Sequence, residues 1–139
     1  GKFKTIILDP ATILWDIIKN GYEYERGKGK LLRRDYGPAN SRMEGLLMLP
    51  IVGGMHLVSI NYIKDVYVDD KATGEKDIDG FKHTDGIVDI IIFCTMTTEK
   101  GNSIVKSRIV ANRFDRTLNG FEMTDATYND LMGILGVEV

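Results

Sequence analysis

In Lys4-Thr5-Ile6-Ile7-Leu8-Asp9, four β-prone or apolar residues run into a carboxylate. A short apolar run closed by a breaker reads as a strand buried on both faces, the pattern of a parallel sheet. A carboxylate at the carboxyl end of such a strand points into the crevice where open α/β sheets bind ligands. Asp9 is therefore a candidate binding residue. Its structural reading is a strand-end or helix-start carboxylate with no ligand.

Working outward, Pro10 suits a helix start, where its missing N–H is not needed. Ile13, Leu14, Ile17, Ile18 and Tyr22 recur at helical spacing, predicting a helix over residues 11–25 with Trp15 flanking its buried face. Residues 26–37 form a basic, glycine-bearing loop. A second helix is predicted from Pro38 to Leu49, with Met43, Leu46 and Leu47 on its core side and Pro50 stopping it. Gly53-Gly54 turns the chain into a strand over 55–61 that again ends on a polar residue, Asn61.

From Tyr62 to Asp85 the pattern gives a short strand at Val66–Val68, a turn around Gly74 and a polar loop. Residues 87–96 read as a strong strand, Lys100-Gly101-Asn102 as a hairpin turn, and Ser103–Val110 as its alternating antiparallel partner. A brief strand at Phe121–Met123 precedes a last helix, capped by Thr124 with Asp125 near its positive end and closed by Gly136. The order is strand, helix, helix, strand, then mostly antiparallel strands and a closing helix. It reads as one α/β domain over residues 1–139.

At 139 residues, 43% hydrophobic and 27% charged, the composition is that of an ordinary globular domain. A net charge of −2 gives no overall pull toward nucleic acid or membrane, so any such contact needs a local patch. The lone Cys94 excludes an internal disulfide; it reads as a small buried side chain in a reducing, cytoplasmic setting. No apolar run approaches the roughly 20 residues of a membrane span. His56 and His83 have no partners at zinc spacing, Asp69, Asp70, Asp77 and Asp79 do not fit a calcium loop, and no motif marks a covalent nucleophile.

Several segments, in this order and spacing, resemble the later half of a RecA-like P-loop ATPase, within the bacteriophage group of small AAA-type proteins that includes Sak-type recombination proteins. They are Lys4–Asp9 with Thr12–Asp16; Arg34–Met43; Gly54–Asn61; Val105–Arg108; Leu118–Glu122; and Asp125–Tyr128. The resemblance implies an incomplete RecA-like core, with Lys4–Asp9 as its Walker B strand. It also implies ATP and Mg²⁺ as cofactors, and an ATP site shared between subunits of a homo-oligomer in the cytoplasm of a bacterial host. The phosphate-cradling Gly-x-x-x-x-Gly-Lys-Ser/Thr loop is not among these residues. Gly27-Lys28-Gly29-Lys30 lacks its spacing and hydroxyl residue. The chain is therefore expected to be the later portion of a larger ATPase, inactive alone, and to need that loop supplied before it can bind ATP. Pro10 also stands where the family commonly has a small hydroxyl residue.

On this resemblance Asp9 secures Mg²⁺, through water, beside the phosphates. Asn61 is a sensor at the next strand's end, with a turn asparagine as its structural reading. Lys106 and Arg108, on one side of an alternating strand, reach a neighbouring subunit's phosphates; Arg113 and Arg116 are alternatives, and a solvated strand face is the competing reading. Lys28, Lys30, Arg33 and Arg34 form the densest basic patch, a candidate contact for single-stranded DNA, with Tyr36 and Tyr62 as possible stacking rings. The rival function is a non-catalytic, oligomeric binding or assembly module. The ATPase reading predicts that the strands ending at Asp9 and Asn61 lie side by side and parallel.

Overall fold

The computed structural model describes residues 4–27 and 31–134, apart from the side chain of Arg33. The described residues form a mixed α/β chain with small sheets and four helices, and the chain divides into two compact units, Gly1–Ile87 and Val88–Val139.

In the first unit, strand β1 (Thr5–Leu8) pairs in parallel with β2 (His56–Ser59), in the register Thr5 with His56 through Leu8 with Ser59. The predicted side-by-side arrangement of these strands is present. Between them run helices α1 (Ala11–Arg26) and α2 (Tyr36–Val52), joined through a 3-10 turn at Arg33–Asp35.

Helix α1 spans the predicted residues, and of the predicted face Ile18 is buried and Leu14 and Tyr22 pack against the core, but Ile13 and Ile17 do not. Ala11, Trp15 and Ile18 are buried, while Ile13 and Ile17 are 47% and 62% exposed. The wide indole of Trp15 decides the rotation: its ring lies 5.2 Å from Phe81 and 6.3 Å from Tyr36, an aromatic cluster that isoleucine cannot form. Gly27 closes the helix in the left-handed conformation, at φ 60°, its N–H bonded to the Tyr24 carbonyl at 3.1 Å.

Helix α2 starts two residues before Pro38 and runs past Pro50 to Val52. Pro38 falls in the first turn, where backbone N–H groups lack helical partners anyway. Pro50 forfeits one hydrogen bond near the far end, but its ring completes the buried stripe Ala39, Met43, Leu47, Pro50. These residues, with Leu31, Phe81 and the buried side of α1, make the core of this unit.

Strands β3 (Tyr62–Val68) and β4 (Lys71–Asp79) form a hairpin where the sequence suggested only a short strand and a turn at Gly74. The turn is Asp69-Asp70, both at positive φ (49° and 60°), a geometry matching the twist of a two-residue hairpin. Gly74, at φ 82°, lies inside β4 near the register shift opposite Asp65–Tyr67. A short helix, α3 (Thr84–Ile87), follows, so the next strand starts at Ile90 rather than Ile87.

The second unit is a three-stranded antiparallel sheet of β5 (Ile90–Glu99), β6 (Asn102–Asn112) and β7 (Glu122–Thr124) in the order β5-β6-β7. Lys100 and Gly101, both at positive φ, make the predicted tight turn. Cys94 is exposed rather than buried, its Sγ 3.4 Å from the Ser107 hydroxyl. The last helix, α4 (Tyr128–Ile134), is capped by Thr127, not Thr124. The Thr127 hydroxyl accepts the Asp130 N–H at 3.3 Å, while the Asp130 carboxylate accepts the Thr127 N–H at 2.8 Å, a reciprocal cap. Asp125 instead takes the Val105 N–H at 2.7 Å, and Gly136 lies outside the described residues.

Met43→Ala is expected to lower the unfolding free energy by about 2–5 kcal/mol, because Met43 is fully buried. Ile17→Ser on the exposed side of α1 should change it by less than about 0.5 kcal/mol. Urea titration followed by circular dichroism measures both.

Candidate functional site

The carboxyl ends of β1 and β2 place Asp9 and Asn61 on one edge of the first unit. The two ends are tied together: Ile60 N–H donates to the Leu8 carbonyl at 2.9 Å, and Ala11 N–H to the Ile60 carbonyl at 2.7 Å. Asp9 is exposed, joined to Pro10 by a cis peptide bond. It is the acidic member of an open groove otherwise lined by Ile7, Leu8, Pro10, Ile13, Leu14 and Ile17.

Asn61 is turned inward. Its Nδ2 donates to the Ser59 hydroxyl at 3.1 Å and, more weakly, to the Ser59 carbonyl at 3.4 Å. Its Oδ1 is shielded from solvent without a hydrogen-bond partner, and a Cβ added at Gly80 would come within 3.2 Å of it. The close approach makes glycine the fitting residue at position 80.

Thr12, which the sequence showed only as part of the segment after Asp9, is the polar hub of this edge. Buried to 5% exposure, its hydroxyl donates to the Asp79 carbonyl at 2.5 Å and accepts the Tyr62 N–H at 3.0 Å. One side chain thus fastens the first turn of α1 to both strands of the β3–β4 hairpin. The available signal was a hydroxyl residue next to the small Ala11 and three positions before Trp15, on the buried side of the helix.

In the basic loop, Lys28, Lys30 and the side chain of Arg33 lie outside the described residues; Arg34 is exposed. The surroundings are not purely cationic. Arg26 pairs with Asp35 at 2.8 Å, and the Glu23 carboxylate accepts the Leu31 N–H at 3.0 Å. The Arg26 guanidinium, helped by the Leu32 N–H and the charge of Arg34, holds the Asp35 carboxyl below its ordinary value of 3.8. Tyr36 packs beside Trp15, while Tyr62 is 55% exposed.

In the second unit, Lys106 and Arg108 share the exposed face of β6, opposite Thr124 and Glu122 of β7. Lys106 is bound to Glu99 at 2.6 Å. That hydrogen bond, the Glu99 charge and the charge of Glu122 raise its ammonium pKa above 10.5. Arg113 lies 4.0 Å from Asp89, and Arg116 is exposed in a 3-10 turn at Arg116–Leu118. The structure thus brings Asp9 and Asn61 together in one unit, and Lys106 and Arg108 together in the other.

Among the described residues no group of three or more His, Cys, Asp or Glu side chains is placed to hold a metal ion. Mg²⁺ needs less: it keeps several waters and takes one or two carboxylates plus substrate phosphates, so an exposed strand-end Asp9 fits an outer-sphere role. A triphosphate grip does not fit these residues. Gly27 sits at the negative, C-terminal end of α1, and the Ala11 N–H at the positive end is already bonded to Ile60. No helix among the described residues is long and apolar enough to cross a membrane.

Comparison with protein-family models, with curated proteins and with solved structures gives no match to this chain.

Thr12→Val is expected to cost about 1–3 kcal/mol, since it strands the Tyr62 N–H and the Asp79 carbonyl; chemical denaturation measures the loss. The depressed pKa of Asp35 gives stability that is present above its unfolded value and is lost as pH falls through its lower folded value. Protection of the Leu32 and Asp35 amides, measured against the intrinsic exchange rate at each pH, should therefore fall below about pH 4, and Asp35→Asn should show the lower protection already at pH 7.

Proposed function

We propose that the chain is the metal-binding part of a RecA-like nucleotide hydrolase of the small bacteriophage AAA type, acting in recombination or replication on single-stranded DNA. The observation that supports this reading is the parallel pairing of β1 with β2, which puts Asp9 and Asn61 at neighbouring carboxyl ends. Ligands of open α/β folds collect at such ends.

On this reading the triphosphate grip comes from outside these 139 residues, and the ATP site forms between subunits of a homo-oligomer. Mg²⁺, when bound, offsets phosphate charge. Asp9, whose carboxylate is exposed, would hold the metal through water. The inward Asn61 fixes the β2–β3 connection through Ser59, and acting as a sensor would require it to release that bond. Arg108 is the better candidate to reach a neighbour's phosphates, because Lys106 is held by Glu99.

A second reading, an oligomeric assembly module without hydrolysis, draws support from the same groove: Ile7, Ile13 and Ile17 are 61%, 47% and 62% exposed beside an edge of β1 that no strand pairs among the described residues.

Calorimetric titration of Mg·ATP into this chain and into the full product of its reading frame separates the two. The first reading expects saturable, Mg²⁺-dependent binding in the full product and at least a tenfold loss of turnover in Asp9→Asn. No binding in either protein, with a dimer or larger species by light scattering, hands the case to the assembly module.

A further inference from the structure

The segment leaving β6 is a short lobe whose backbone is fixed at nearly every step. Asn112, 3% exposed, accepts the Phe114 and Asp115 N–H groups on its Oδ1 at 2.9 and 3.2 Å. Arg113 N–H donates to the Asp89 carbonyl at 2.9 Å, and Gly120 N–H returns to the Ile109 carbonyl at 2.7 Å. The Asp115 carboxylate accepts both the Thr117 N–H at 2.8 Å and the Thr117 hydroxyl at 2.6 Å, which holds its pKa down.

From this fixed lobe the ring of Phe114 stands 73% exposed. An exposed apolar side chain alone means little. Here, however, it is flanked in sequence by Arg113 and Arg116, with Arg108 exposed on the adjoining strand. The anion within the lobe, Asp115, is engaged by Thr117. A ring with two rotatable bonds on a pre-bonded backbone loses little entropy when it is covered.

We propose that this lobe is a stacking platform for single-stranded nucleic acid: Phe114 stacks on an unpaired base while Arg116 and Arg108 contact the flanking phosphates. Aromatic rings interleaved with cations are the usual means of holding single strands without reading sequence. A duplex does not suit the lobe, because its base faces are already stacked. The β3–β4 hairpin, which also exposes aromatic rings, carries Asp65, Asp69, Asp70, Glu75, Asp77 and Asp79 against three lysines and would repel the same ligand. The inference rests on the reading above for its ligand, single-stranded DNA, and adds where that strand is held; it involves no bound nucleotide.

Fluorescence anisotropy with a labelled twenty-nucleotide oligothymidylate, in EDTA and without nucleotide, tests the platform on the whole chain. Phe114→Ala should weaken binding roughly 5- to 150-fold, the range that stacking of one base gives. Arg116→Gln should weaken it and reduce the salt slope by about 0.7. Phe114→Trp should retain binding, with indole emission quenched on titration. Tyr67→Ala, an exposed ring on the β3–β4 hairpin, should bind as the parent does. Circular dichroism controls for folding. The proposal is overturned if the parent chain does not bind the oligonucleotide, if Phe114→Ala binds it equally well, or if polyglutamate competes equally, which would mark the lobe as a site for acidic protein segments. Because no nucleotide is present, failure of Mg·ATP binding leaves this result untouched.

Discussion

The parallel pairing of β1 with β2 is the constraint on which the first unit depends. Antiparallel neighbours can be joined by a two-residue turn, whereas parallel ones need a long crossover. Here the crossover comprises α1 and α2, and it brings Trp15 against Phe81 and Met43 into the core. It returns the chain to the amino end of β1, where the His56 N–H bonds the Lys4 carbonyl, so that β2 runs beside β1 and ends where Ile60 bonds Leu8 and Ala11 bonds Ile60. Thr12 then locks the start of the crossover to the hairpin beyond it. The edge carrying Asp9 is thus built from backbone hydrogen bonds and one buried hydroxyl.

Charge is distributed unevenly between fold and surface. Arg26 and Lys106, which the sequence displays as parts of basic clusters, each hold a carboxylate: Asp35 in the first unit and Glu99 in the second. Such exposed pairs contribute little to stability, but they lower the local positive field. What distinguishes the remaining cations is position. Arg108 stands on a regular strand face, and Arg116 stands on the lobe fixed by Asn112 and Asp115.

Much of the architecture was legible in the sequence. The Ile6–Leu8 run, the β5–β6 turn at Lys100-Gly101 and the extent of α1 follow from patterns that depend on near neighbours alone. The inward face of α1 was legible only in part: Leu14, Ile18 and Tyr22 follow from helical spacing, but the outward Ile13 and Ile17 do not, because Trp15 finds Phe81 some 65 residues away. The β3–β4 turn was hidden by Gly74, which marks the irregular part of β4 while two aspartates take the left-handed turn positions. Within the candidate site, Asp9 and its parallel neighbour strand could be anticipated. The inward rotation of Asn61 and the bridging role of Thr12 could not, since both depend on Gly80 and Asp79 arriving from the far side of the hairpin.

The same crossover has a consequence for how the chain acquires its shape. The β3–β4 and β5–β6 hairpins join residues close in sequence, whereas Thr5 meets His56 across about fifty intervening residues. Loop closure over that distance must precede any gain from the pairing. At ribosomal speeds of roughly 5–20 residues per second, β1 waits on the order of 3–10 s for its partner strand to be made. During that interval Leu8 and the indole of Trp15 lack the core that covers them in the folded chain, leaving apolar surface open to other chains.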